Sequence, residues 1–350
     1  MCELLGMSFN TPVNPDISFK AFRKKGANNP DGWGLAFYPD KSARIFKEPI
    51  IATESLLSDF IKKYHEIKSR IIIGHVRLTS VGTVCYKNTH PFSRELNGRE
   101  FVFAHNGTIF NWNRLELGRF KPIGETDSEH IFCYLLSKIE EKKIKEWNRE
   151  NFKWLNKMLL EINSYGSFNC IFSEGKFLFC YHDLNGFKEL KFVKRESPYP
   201  TIKLYDEDYE INLAENKSIG QYGYIIASKN LTNEIWIDFK PGELIIFKNG
   251  QIVYSNQHDI SKFQKSSLTD LEKEILEFIR KSPHKVKLKI LIENLGWQEE
   301  EIKFSINYLI CNNYICQDSR DNVKWYHEDA TFYTNPEKRP EIDELINNEN

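Results

Sequence analysis

Met1-Cys2-Glu3-Leu4-Leu5-Gly6 opens the chain, and its second residue carries more chemical information than any other. Methionine aminopeptidases clip an initiator methionine when a small residue follows it. The expected mature chain therefore starts at Cys2, with a thiol beside its own free α-amine. One residue would then hold both a nucleophile and a base. An unperturbed α-amine titrates at about 7.7–8.0, near the pH at which a general base works best. An early cysteine is far more often an ordinary residue than a catalytic one. The segments that follow decide between the two.

With 350 residues, 41% of them hydrophobic and 14% aromatic, the chain can build two domains with sizeable cores. Lys and Arg total 48 against 49 Asp and Glu, so the net charge of −1 offers no field for a phosphate backbone or an anionic lipid surface. Nucleic acid gains no support from composition. No apolar run approaches the roughly 20 residues needed to span a bilayer, and the first residues lack a basic segment; a cytoplasmic protein is expected. Seven cysteines without a Cys-x-x-Cys pair suit a reducing compartment better than a disulfide framework or a zinc site. Cys85, Cys133, Cys170 and Cys180 sit among apolar neighbours and read as small core residues. No motif calls for a cofactor or a metal.

Residues 34–38, 70–77 and 101–105 read as short buried strands. A helix is expected over 53–66, capped by Thr53 and carrying Leu56, Leu57, Phe60 and Ile61 at helical spacing. Thr126 and Glu129 form a capping-box pattern that starts a helix at Asp127, and another helix is expected over 151–162. From 167 to 254 strands return, with hairpin signals at Ser173-Glu174-Gly175 and Lys248-Asn249-Gly250. The polar stretch 194–222, with Pro198, Pro200 and the acidic run Tyr205-Asp206-Glu207-Asp208, reads as a solvated surface excursion. Composition breaks at 261–267. Beyond it come a helix capped by Thr269 and carrying Leu271, Ile275, Phe278 and Ile279, and helices over 286–294 and 298–312. Tyr314-Ile315-Cys316 and Val323-Lys324-Trp325-Tyr326 then flank an Asp321-Asn322 turn, the pattern of a winged helix. Acidic residues outnumber basic ones over 265–329, which favours a protein-contacting or packing role at least as much as DNA. The expected domains are 1–262 and 266–330, with 331–350 a loose tail.

Four islands carry the chemistry. Beside Cys2 stands Asn29-Pro30-Asp31-Gly32-Trp33-Gly34, on its own a glycine-punctuated turn feeding a strand. Gly74-His75-Val76-Arg77-Leu78-Thr79-Ser80 places an arginine at the end of an apolar strand, as an ion-pair member or an anion receptor. His105-Asn106-Gly107 has an ordinary reading as a hairpin turn between 101–103 and 108–110. His75 and His105 lie within apolar strands and read as hydrogen-bonded packing residues.

As an ordered set, with His90-Pro91 and Gly124-Glu125-Thr126-Asp127 behind them, these islands resemble the class II glutamine amidotransferases of the N-terminal-nucleophile hydrolase superfamily, in a stand-alone form without a synthetase domain. The likeness covers about the first 255 residues. It implies an α+β fold, a four-layer αββα sandwich of two antiparallel sheets between helical layers, here followed by the winged-helix-like module. It also implies that Cys2 attacks the side-chain amide of glutamine or a γ-glutamyl compound, releases ammonia and leaves a thioester for water. By the same resemblance Arg77 takes the substrate α-carboxylate and Asp127 its α-ammonium, while Asn106 and Gly107 form the oxyanion hole. His90 falls near the substrate, and Thr79 and Ser80 are candidates for the carboxylate. Asp127 also has a simpler role in the first turn of its helix, where the macrodipole favours a carboxylate.

Leu78 departs from the aromatic residue that many synthetase-linked members have after the arginine, so the wall beside the carboxylate differs. No acceptor domain follows, and a separate ammonia-accepting enzyme is the partner to look for, if one exists. Two rivals stand beside hydrolysis: a subunit that supplies ammonia only with a synthetase, and a glutamine-sensing regulator whose C-terminal module contacts DNA or protein.

Overall fold

The computed structural model describes all residues except 1, 65, 197–200, 205–209, 214–220, 264–267, 319, 321–322 and 348–350. The chain divides into two compact units. One holds Met1–Arg195, Tyr199–Leu213 and Tyr222–Gln264, the other Glu196–Pro198, Ala214–Gln221 and Lys265–Asn350.

The first unit is built on strands β1 (Glu3–Val13), β2 (Trp33–Phe37), β3 (Arg44–Glu48), β4 (Ser69–Val76), β5 (Phe92–Leu96), β6 (Arg99–Ile109), β7 (Gly166–Ser173) and β8 (Phe177–Tyr181). It continues with β9 (Lys191–Arg195), β10 (Thr201–Lys203), β11 (Glu210–Asn212), β12 (Gly223–Ala227), β13 (Ile237–Asp238), β14 (Leu244–Lys248) and β15 (Gln251–Ser255). They form a seven-stranded sheet in the order β13-β9-β12-β1-β4-β2-β3 and a six-stranded sheet in the order β15-β14-β8-β7-β6-β5, with β10 and β11 paired apart. Neighbours run antiparallel, as at Leu5↔Ala227 and Leu5↔Gly74 on either side of β1.

Alternation along each strand sends successive side chains to opposite faces, so one strand feeds two cores. On β1, Leu4 joins Ile73, Ala104, Ile171 and Ile245 between the sheets. Its neighbour Leu5 instead packs with Phe19 and Phe22 of helix α1 (Asp16–Lys24) and Ile61 of α2 (Leu56–Lys63) on the outer face. Behind the second sheet, Ile131 and Leu135 of α3 (Asp127–Glu141) and Leu155 and Leu159 of α4 (Arg149–Asn163) cover Phe103, Phe168 and Phe179. Three cores thus separate a helical layer, two sheets and a second helical layer.

Several local expectations change. The helix at 53–66 is shorter because Ser55, not Thr53, accepts the Ser58 N–H at 2.8 Å. Leu56 and Phe60 of that helix face solvent. Asn106-Gly107 is not a turn: β6 runs straight through it, paired with β7 at Asn106↔Asn169 and Gly107↔Phe168. The 194–222 excursion contributes buried Ile202 and Leu204, so part of it belongs to the core; its acidic run and both prolines lie outside the described residues.

The second unit contains α5 (Asp270–Lys281), β16 (Val286–Lys287), α6 (Leu288–Asn294), α7 (Glu299–Cys311), β17 (Ile315–Gln317), β18 (Thr331–Thr334) and α8 (Arg339–Asn347). A reciprocal capping box of Thr269 and Glu272 starts α5. The partner of 314–316 differs from expectation: Cys316 pairs with Tyr333 of β18, which lies between β16 and β17, while 323–326 forms no strand. The Asp321-Asn322 turn lies outside the described residues. Residues expected to be a loose tail are structured, because Phe332 and Ile342 are fully buried in this unit's core. Among the described residues no helix is long and apolar enough to cross a membrane.

Candidate active site

Cys2 lies at the head of β1, a strand bonded on both edges, and the ends of neighbouring strands surround it. The Leu78 N–H donates to Cys2 Sγ at 3.1 Å, and the thiol in turn lies 3.1 Å from the Leu78 carbonyl oxygen. Burial pushes the Cys2 thiol up, while the Leu78 hydrogen bond and the nearby Lys188 and Arg77 cations pull it down.

Arg77 follows β4 directly and is buried to 3% exposure. The Asn29–Gly34 turn fixes its main chain: Arg77 N–H donates to Gly32 O at 2.7 Å, Asp31 N–H to Arg77 O at 3.1 Å, and Thr79 N–H to the Asp31 carboxylate at 2.7 Å. The guanidinium is then wrapped by its own loop, donating to Val81 O at 3.0 Å and Thr83 O at 3.2 Å. Gly34 is required for clearance, since a Cβ there would stand 2.2 Å from His90 O. Thr79 Oγ1 is buried without a hydrogen-bond partner, whereas Ser80 Oγ accepts from Thr108 Oγ1 at 3.2 Å on the exposed rim. Cys85 belongs to this loop region and is only half-buried, against the expected core position.

Asn106 meets Cys2 from the other sheet, its Nδ2 donating to Cys2 O at 2.8 Å. The opposite end of the amide, Oδ1, lies 3.1 Å from His75 Nε2, which is also 3.1 Å from His105 O. Two acceptors require Nε2 to carry the proton, so a neutral His75 sets the direction of the Asn106 amide. Burial holds His75 neutral by lowering its pKa to about 3. His90 stacks on His75 with ring centroids 4.2 Å apart and also packs on Phe92. It is buried, at 4% exposure.

Asp127 starts α3 beneath the end of β6. Its Oδ2 accepts the Ile109 N–H at 2.8 Å, and the group is 2% exposed, yet close enough to act on the Arg77 guanidinium together with Asp31 and Cys2. Only half of the expected capping box forms. Thr126 accepts the Glu129 N–H at 3.2 Å, while the Glu129 carboxylate turns to Arg94 and to the Gly124 N–H. Gly107 adopts φ +145, and a Cβ there would come within 2.0 Å of Ser167 O.

One residue of this neighbourhood escaped the sequence reading. Lys188 Nζ donates to Cys2 O at 2.6 Å and to Glu3 Oε1 at 3.2 Å. The only local signal is the turn pair Asn185-Gly186, which says nothing about Cys2. Lys188 also lines a cavity of about 290 Å³ with Glu3, Asn28, Asn29, Ser228 and Lys229.

Residues 1–271 match the family described as "Glutamine amidotransferases class-II". The chain is 50% identical to the uncharacterized protein MJ1515 of Methanocaldococcus jannaschii, over 99% of this chain and 96% of that one. It is 36% identical to "Putative glutamine amidotransferase YafJ" of Escherichia coli K12, over 72% of this chain and the whole of YafJ, 100%. A crystal structure of the "predicted glutamine amidotransferase from Pseudomonas aeruginosa PA01" aligns with TM-score 0.52 and 29% identity, covering 72% of this chain and 100% of that one. The phosphoribosylpyrophosphate amidotransferase of B. subtilis shares the fold at TM-score 0.51 and 14% identity, over 91% of this chain and 67% of its own. With the family match running from its first residue to residue 271, the chain belongs to the class II glutamine amidotransferases.

Proposed function

We propose that Cys2, freed by removal of Met1, cleaves the side-chain amide of glutamine or of a γ-glutamyl conjugate as an N-terminal nucleophile. The α-amine takes the thiol proton, and a carbon–sulfur bond forms as the carbonyl becomes an oxyanion. Collapse breaks the carbon–nitrogen bond, and the proton leaves with ammonia or the released amine. Water then hydrolyses the thioester. Asn106, through its second amide hydrogen, and Gly107, through its N–H, stabilise the oxyanion; losing one such donor typically costs about 2.7–4 kcal/mol of barrier. Arg77 binds the α-carboxylate with Thr79 and Ser80 beside it, and Asp127 binds the α-ammonium.

The observation that carries this reading is convergence: the segments around residues 77 and 106 meet on Cys2, with hydrogen bonds linking Cys2 to Leu78 and Asn106, and the turn around residue 31 holds the first of them in place. Intact-mass measurement before and after 6-diazo-5-oxo-norleucine tests it. Wild type should lack Met1 and gain one adduct, and Cys2→Ala should gain none. An adduct that survives Cys2→Ala overturns the assignment.

The C-terminal unit fits a winged-helix-like module, since its last strand lies between the other two and three of its four described helices precede β17. Its acidic balance favours a protein contact over DNA. A gel shift with genomic fragments at low salt should be negative.

A further inference from the structure

We propose that Lys188 is a positioning residue for the nucleophile, fixing the main chain of Cys2 and supplying a permanent positive charge beside its thiol and α-amine. This rests on the Cys2 reading above. Lys188 closes a turn between β8 and β9 that is built well beyond what a connection needs. Asp183, fully buried, accepts four hydrogen bonds there, from Phe168 N–H, Asn163 Nδ2, Asn185 N–H and Phe187 N–H. Asn169 Nδ2 donates to Phe187 O, and His182 Nε2 to Lys188 O at 2.8 Å. Lys188 itself is held at φ +51, a left-handed conformation that costs a residue with a side chain about 1 kcal/mol. Its ammonium reaches a chain segment 186 residues away.

The groups around Cys2 can be named element by element. Arg77 comes from the end of β4, Asp31 from the turn before β2, and Asn106 from β6; Glu3 lies on the same strand and Lys229 follows β12. Glu3 Oε1 takes Lys188 at 3.2 Å and Lys229 at 3.3 Å, so two ammonium groups share one carboxylate. Asp127 of α3 and Glu189 add carboxylates to the surroundings, yet the side-chain charges that act most on the thiol are the Lys188 and Arg77 cations, and positive charge favours both a thiolate and an unprotonated amine. Lys188 exchanges no proton in the reaction. Its hydrogen bond goes to the Cys2 carbonyl oxygen, which is three covalent bonds from the α-amine nitrogen.

Three variants separate charge from hydrogen bonding and from packing. Lys188→Met removes both charge and donor, Lys188→Gln keeps a donor, and Lys188→Arg keeps the charge. Each is measured by the pH dependence of Cys2 alkylation with 6-diazo-5-oxo-norleucine, followed by intact mass, and by thermal midpoint. In Lys188→Met and Lys188→Gln the acid limb should rise by about one pH unit, slowing alkylation about tenfold near pH 7. Lys188→Arg should keep the wild-type limb. An acid limb common to wild type and Lys188→Gln overturns the electrostatic role, even where Lys188→Met fails to fold. Equal slowing of all three variants at every pH reduces Lys188 to packing. Wild type that takes no label defeats the Cys2 reading itself, a result distinct from either.

Discussion

Two turns flank Cys2, and they are built differently. Asn29–Gly34 works through its main chain: strand-like bonds to Arg77, one carboxylate bond from Asp31 to Thr79, and a glycine that clears His90. The 183–188 turn works through a single buried carboxylate that gathers four donors and delivers Lys188. The first holds a cation, Arg77, whose guanidinium donates to the carbonyls of Val81 and Thr83; the second delivers one to the main chain of Cys2. Cys2, the proposed nucleophile, is thus held from both sides.

Mutations can break this contrast in graded steps. Asp183→Ala should have the largest effect, about 5 kcal/mol in urea unfolding, because it strands several buried donors at once. A loss under about 1 kcal/mol would mean that the turn does not depend on its carboxylate. Gly34→Ala comes next, at about 3 kcal/mol, since the added Cβ meets a backbone oxygen that cannot swing aside. Wild-type behaviour there would place the His90-Pro91 segment elsewhere. Acid should act on the ground between the turns. His75 and His90 have folded pKa values depressed by burial, so the unfolded chain takes up protons first. Stability is full above about pH 6.5 and falls below it by about 1.4 kcal/mol per pH unit for each histidine, for His75 until about pH 3. Urea midpoints at pH 7 and 5.5 check the sign. Asp31→Ala should raise KM for glutamine about tenfold with little change in kcat, by loosening the Arg77 loop; an unchanged KM would detach that loop from substrate capture. Smallest is Gly186→Ala, about 1 kcal/mol. There φ is +71 but the nearest atom to a new Cβ is 3.9 Å away, so only backbone preference is lost.

The first turn was legible because glycine punctuation and a tryptophan mark it in the sequence, and because Arg77 closes an obvious apolar strand. The second was not, since a buried aspartate and a lysine look like any polar turn until Cys2 is folded against them. The same limit explains Asn106-Gly107. The dipeptide signals a hairpin locally, yet continuous pairing with β7 from Val102 to Ile109 outweighs that local preference. In the C-terminal unit the helices were readable from their caps and apolar spacing, but the strand partner of Cys316 was not. Phe332 lies in what composition suggests is a tail, and its burial follows from contacts no short window contains.

Many enzymes carry their reactive group on a part that opens easily. Here the proposed nucleophile, Cys2, directly precedes a central strand whose amides are locked by β4 and β12. Native-state hydrogen exchange along 3–8 should therefore report the same opening event that disarms the thiol. With Cys2 as the proposed nucleophile, heat would abolish turnover and this sheet together.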